Sequence, residues 1–122
     1  MSSVIDAAWN ALYEANPKIQ ALAVWKETEI IWQTQNWDLV DISDELIKAP
    51  EISSQSVTVS GVVYHLVAST TEAYLASAKQ DKGHFIMVKA ADSIWLMAWA
   101  KSDAVPELVL IDLTYAALNL IL

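Results

Sequence analysis

Residues 57–100 read VTVSGVVYHLVASTTEAYLASAKQDKGHFIMVKAADSIWLMAWA, and this stretch decides the fold. It holds four apolar runs: Val57 to Ala68 through Gly61, Ala73 to Lys79, His84 to Ala90, and Ile94 to Ala100. Their separators are three or four residues long. A parallel crossover needs a dozen residues or so, so neighbouring runs must pair as antiparallel hairpins. The result is a meander of four strands, or five if Val57 to Ser60 is separate from Val62 to Ala68. Within the latter, Val62, Tyr64, Leu66 and Ala68 alternate with Val63, His65 and Val67, so both faces are largely apolar. Such a strand is predicted to be central and covered on both sides.

On the N-terminal side, Val4, Ile5, Ala8, Ala11, Leu12 and Ala15 recur at helical spacing, opposite Asp6, Asn10, Tyr13 and Glu14. An amphipathic helix over Ser2 to Ala15 follows, started by Ser3 to Asp6 and ended by Pro17. Ile19 to Trp25 and Ile30 to Gln35 are β-rich runs joined by Lys26-Glu27-Thr28-Glu29, a hairpin whose turn lacks glycine. Ser43 is placed to cap a short helix, Asp44 to Ala49, which Pro50 is expected to stop. On the C-terminal side, Pro106 suits a first helical position and Glu107 the positive helix end. From Leu108 to Leu122 only Asp112, Thr114 and Asn119 are polar, so this helix is expected to be packed over most of its surface. The order predicts one α+β domain over 1–122: a single antiparallel sheet of six to seven strands flanked by N- and C-terminal helices.

Composition narrows function. Fifteen acids against seven lysines give a net charge of −8, which repels nucleic-acid backbones and anionic lipid. The longest uncharged stretch, Ile52 to Thr71, is too rich in Ser and Thr to be a membrane span. No export signal is visible and there is no cysteine, so the cytoplasm is the expected compartment. Three of the seven lysines fall between Lys79 and Lys89 against Asp81 alone. That local basic patch reads either as a solvated hairpin protecting strand edges or as a surface for an acidic protein.

No catalytic constellation is present in the sequence. His65 alternates with valines, and His84 has no second histidine near it in sequence. Two histidines without cysteine do not easily build a zinc site. Asp38, Asp41, Asp44 and Glu45 cluster where helix capping wants carboxylates, without a calcium-loop pattern. Two glycines, Gly61 and Gly83, rule out a glycine-rich phosphate loop. No enzyme, cofactor or metal is therefore expected.

Six tryptophans remain to be placed. Trp95 and Trp99 share a strand face with Met97 and, with Trp25, read as core; Trp37 reads as a loop plug. Trp9, Tyr13, Trp32 and Tyr115 sit on or beside polar positions. If the terminal helices pack side by side next to the strand holding Trp32, these four rings form one patch. Proline rings stack between aromatics, and indole N–H and phenol O–H groups donate to a polyproline II ligand's carbonyls. The plainer reading is that the four seam two helices to the sheet.

The element order and several strings resemble the profilins, small actin-monomer-binding proteins. These strings are Ile31-Trp32-Gln33 in the second strand, Gly61-Val62-Val63-Tyr64, the lysine-rich Ala78 to Lys89, the apolar Ile94 to Ala100, and the terminal Pro106 to Leu122. The resemblance implies a cytoplasmic, cytoskeletal regulator of actin polymerisation that is monomeric and has no stable membrane association. It further implies a polyproline groove at Trp9, Trp32 and Tyr115, with Tyr13 added, for proline-rich peptides. An actin-facing surface is implied on the meander and the start of the last helix, carried by Lys79, Lys82, His84 and Lys89. The chain departs from the family in its scarcity of glycine, its lack of an Asp-Gly hairpin turn and its acidity, which disfavours phosphoinositides. A divergent, archaeal-type member fits these departures. The alternative is a roadblock/LC7-type domain, a dimeric scaffold for small GTPases with fewer meander strands.

Overall fold

The computed structural model describes residues 2–27, 29–37, 44–59, 61–91 and 94–118. Along them run α1 (Ser2–Ala15), β1 (Ile19–Lys26), β2 (Glu29–Gln33), α2 (Asp44–Ile52), β3 (Ser56–Val59), β4 (Val62–Thr70), β5 (Ala73–Ala78), β6 (His84–Ala91), β7 (Ile94–Ala100) and α3 (Pro106–Leu118). The strands form one sheet in the order β2-β1-β7-β6-β5-β4-β3, every neighbouring pair antiparallel. The meander is thus the unbroken run β3 to β7, and the N-terminal hairpin adds to its β7 side. Because β2 and β3 occupy opposite edges, the segment that carries α2 crosses a face of the sheet.

Strand alternation sends side chains to two separate cores. On one face Ile5 and Leu12 of α1, with Val109, Leu113 and Ala117 of α3, close over Leu22, Val24, Ile86, Val88 and Leu96. On the other, Leu46 and Ala49 of α2 join Trp25, Val57, Tyr64, Tyr74, Phe85, Met87 and Met97. Successive residues of β6 alternate between the two cores, which is why its sequence is apolar without a period.

Several local expectations change. Lys26 pairs with Glu29, so the first hairpin turn is tighter than four residues, and Glu27 adopts φ 59° in place of a glycine. Pro50 lies inside α2 rather than ending it. The helix closes instead at Ser53, φ 50°, with Ser54 N–H donating to Ala49 O at 3.1 Å, a Schellman closure that needs only a left-handed residue after the last turn. β3 and β4 are distinct strands turning at Gly61, φ 81°.

The expectation that β4 is covered on both faces is overturned. Tyr64 is buried, but Val63 and Val67 are 45% and 54% exposed, and His65 is exposed with them. α3 packs on β6 and β7, while α1 packs on β1 and α3, so this helix layer stops short of β4. The two terminal helices are also barer than their patterns suggest. Val4, Ala11 and Ala15 of α1 are exposed, as are Leu108, Ile111, Tyr115 and Leu118 of α3. Each helix seats only a narrow line of residues on the sheet. The proposed Ser43 cap, Asp38, Asp41, Asn119 and the Asp92-Ser93 turn lie outside the described residues, as do the side chains of Asp44 and Glu45.

Candidate functional site

Three surfaces carry the residues singled out in the sequence. The first lies between α1 and β2. Trp32 projects from β2 under α1, and its indole Nε1 donates to Asp6 Oδ1 at 2.9 Å. One turn further along α1, Trp9 lines the same groove and meets Tyr13 with ring centroids 5.5 Å apart at 43°, the tilted geometry aromatic pairs favour. The groove encloses about 530 Å³ and is completed by Gln20, Gln33, Thr34, Gln35 and Asn36. Its far wall is fixed by the backbone: Asn36 Nδ2 donates to Gln20 O at 2.7 Å, and Thr34 N–H donates to Leu22 O at 2.9 Å. Thr34 is the buried polar residue of this corner, and its hydroxyl accepts from Leu22 N–H at 3.3 Å.

The second surface lies on the other side of α1, against α3. Val4, Ala7, Ala8, Ala11, Leu12 and Ala15 face Asp112, Tyr115 and Ala116 across a cleft of about 700 Å³. Asn16 Nδ2 donates to Asp112 Oδ2 at 3.0 Å and ties the end of α1 to the middle of α3. Tyr115, 70% exposed, belongs to this cleft. The four rings expected to share one patch are therefore divided by α1, with Trp9, Tyr13 and Trp32 on one side and Tyr115 on the other.

The third surface is the bare strip of β4 and the β5–β6 hairpin. Lys79 and Lys82 border a shallow groove with Val63 and His65. Gln80 and Asp81 turn this hairpin at φ 59° and 60°, left-handed values that cost non-glycine residues about 1 kcal/mol or more each. The strained turn is pinned from below, where Trp99 Nε1 donates to Lys82 O at 2.9 Å. Gly83 must follow, because a Cβ there would stand 2.4 Å from Ala100 O and 2.7 Å from the Trp99 ring. Trp99 also lies beside Tyr64, whose hydroxyl burial pushes above its ordinary pKa, against the lowering effect of a hydrogen bond with Trp99.

His84 points to the α3 side of the sheet. Its Nδ1 lies 2.6 Å from Ser77 Oγ and its Nε2 lies 3.1 Å from Ser102 O. A carbonyl only accepts, so Nε2 donates and Nδ1 accepts from the serine hydroxyl. The ring thereby joins β5, β6 and the turn before α3. Lys89 is elsewhere: it sits at the far end of β6 on the α2 face, beside Ile47, Pro50, Glu51 and Trp95. Of the four residues assigned to one basic surface, the structure groups Lys79, Lys82 and His84 and separates Lys89.

Sequence reading missed Asp6 as the partner of Trp32, the amides that wall its groove, and the exposure of Val63 and Val67. A long-range indole–carboxylate pair leaves no trace in local spacing. Among the described residues no group of three or more His, Asp or Glu is arranged to hold a metal ion, and no helix is long and apolar enough to cross a membrane.

No family model matches the chain. It is 32% identical over 120 residues to Thor profilin from Thorarchaeota archaeon (strain AB_25), covering 96% of this chain and 94% of that protein. Among solved structures, LokiProfilin1 superposes with a TM-score of 0.82 at 25% identity, covering 98% of this chain and 97% of the other. A complex of LokiProfilin1 with rabbit actin superposes at 0.80 with 24% identity, over 96% of this chain and 93% of the other.

Proposed function

This chain belongs to the profilin family, and from that premise we propose that it binds monomeric actin in the cytoplasm and regulates actin polymerisation. The observation that carries the reading is the uncovered strip of β4. Val63, His65 and Val67 lie open beside the Lys79–Lys82 hairpin, and His84 links the same side of the sheet to the turn before α3. Exposed valines bordered by lysines suit a partner whose own contact surface is apolar at the centre and acidic at the rim. The relative solved in complex with rabbit actin shares this fold. The roadblock/LC7 alternative falls with family membership.

The test is spontaneous assembly of pyrene-labelled actin. The double variant Val63→Asp, Val67→Asp is expected to weaken inhibition about tenfold or more, since it places charge in the middle of the contact. Lys79→Glu with Lys82→Glu is expected to cost about threefold, mostly in association rate and mostly at low salt. Lys89→Glu, at the other end of β6, is expected to have the smallest effect. Undiminished inhibition by the double aspartate variant would remove the assigned surface.

A second reading, for proline-rich peptides, rests on the groove of Trp9, Tyr13 and Trp32. Two indoles and a phenol offer stacking faces, and side-chain amides along the wall offer donors to ligand carbonyls. Tyr115, across α1, is not part of that groove.

A further inference from the structure

The cleft on the other side of α1 has a different chemistry. We propose that the groove between α1 and α3 receives an amphipathic helix with basic flanks, contributed by a partner protein and independent of both actin and proline binding. On α3 the residues turned outward are Leu108, Ile111, Tyr115 and Leu118, from 53% to 78% exposed. Their spacing of three, four and three is that of the a and d positions of a coiled-coil seam. Facing them, α1 presents Val4, Ala7, Ala11 and Ala15, small residues at the same helical spacing. Twelve helical residues measure about 18 Å, so the cleft has room along α1 for about three turns of a third helix.

The occupant follows from what the cleft lacks. A polyproline II strand exposes carbonyls that need donors, whereas a helix has satisfied its own backbone and asks only for apolar contact. No amide or indole lines this cleft, and its carboxylate, Asp112, already accepts from Asn16. The alanines of α1 let another helix approach to the lower end of the usual ~8–10 Å interaxial range.

Charge then selects among helices. α1 and α3 hold Asp6, Glu14, Glu107 and Asp112, with no lysine and no arginine. A second copy would bring the same four acids against them, in a chain whose net charge is −8. A helix with leucine-like a and d residues and Lys or Arg beside them gains where a second copy is repelled.

The test uses the full chain and a fluorescein-labelled 18-residue peptide with Leu at a and d, Lys at e and g, and Ala elsewhere. Anisotropy is expected to rise on binding, with a gain of peptide helicity by circular dichroism. A scrambled peptide of equal composition and a Glu-for-Lys peptide are each expected to bind about tenfold more weakly or worse. Ile111→Asp is expected to lose the Lys peptide. Because Ile111 is exposed, an unchanged melting temperature would confirm that the variant is folded. Glu14→Lys with Glu107→Lys is expected to shift preference toward the Glu peptide. Equal binding of the scrambled peptide, or retention of the Lys peptide by folded Ile111→Asp, would overturn the proposal. So would displacement of the peptide by a proline decamer, or a dimer in sedimentation that Ile111→Asp dissolves, since either assigns the cleft to another occupant.

Discussion

The two sides of α1 are built from the same helix and are opposite in character. Toward β2 it presents Asp6, Trp9 and Tyr13 to a strand bearing Trp32 and to a wall of amides. Toward α3 it presents valine and alanines to a helix that is nearly all apolar. One side is rich in rings and hydrogen-bonding groups, the other in small aliphatic surface. An aromatic groove recognises a strand whose backbone still needs partners; an aliphatic one recognises an element that has none left to satisfy. The comparison teaches that α1 is a divider, and that exposed apolar area on its two sides does not form one site.

A reciprocal experiment breaks this comparison most directly. Trp32→Ala is expected to weaken binding of a proline decamer, read as quenching of tryptophan fluorescence, by roughly thirtyfold, the loss typical of a central tryptophan. The same variant is expected to leave the basic helical peptide within about twofold, given how nearly additive well-separated sites are. Ile111→Asp should give the mirror result. If either variant reduces both ligands equally, the grooves are one surface and the division by α1 is without consequence.

A smaller effect is expected at the floor of the aromatic groove. Thr34→Val preserves shape but leaves the Leu22 N–H without the hydroxyl that accepts from it, in a corner that is buried. Leaving a buried donor unpaired costs about 1–3 kcal/mol, to be read as a lower denaturation midpoint. Because the threonine tethers the strand segment leading to Gln35 and Asn36, proline affinity should fall with it, while the helical peptide should be unaffected.

Much of this was legible in the chain. The meander followed from separators too short for a crossover, and the core tryptophan Trp25 from its place in an apolar strand. What failed did so for one physical reason. Periodicity reports which residues can share a face, and says nothing of how far the neighbouring element extends. β4 was expected to be covered because Val63, His65 and Val67 alternate with Tyr64, yet the helix layer stops at β6. α3 was expected to be wrapped because it is apolar all round, yet it has a neighbour on only part of its circumference. The site suffered likewise: Tyr115 shares a chemical type with Trp9 and Trp32, and only the placement of α1 separates them. The basic cluster was contiguous in sequence, but a β-strand carries Lys89 to the far end of β6 and its alternation turns it to the other face. Each misreading marks a surface now open to a partner.

The finest distinction between the two sides rests on Asp6. Its carboxylate accepts from the Trp32 indole at an exposed position, and no equivalent clamp holds Tyr115 in place on the other side. A hydrogen bond to a charged acceptor is roughly twice as strong as a neutral one. Asp6→Asn retains an oxygen that accepts from Nε1 but removes the charge, so Trp32 should sample more orientations without losing its seat. The expected cost to proline-decamer affinity is about two- to threefold, with no measurable change in melting temperature, since an exposed bond of this kind contributes little to folding. Asp6→Ala removes the acceptor entirely and should cost more, which orders the two variants. Equal affinity in all three proteins would mean that the indole is oriented by packing against α1 alone, and the aromatic groove would then differ from the aliphatic one in its rings but not in how they are held.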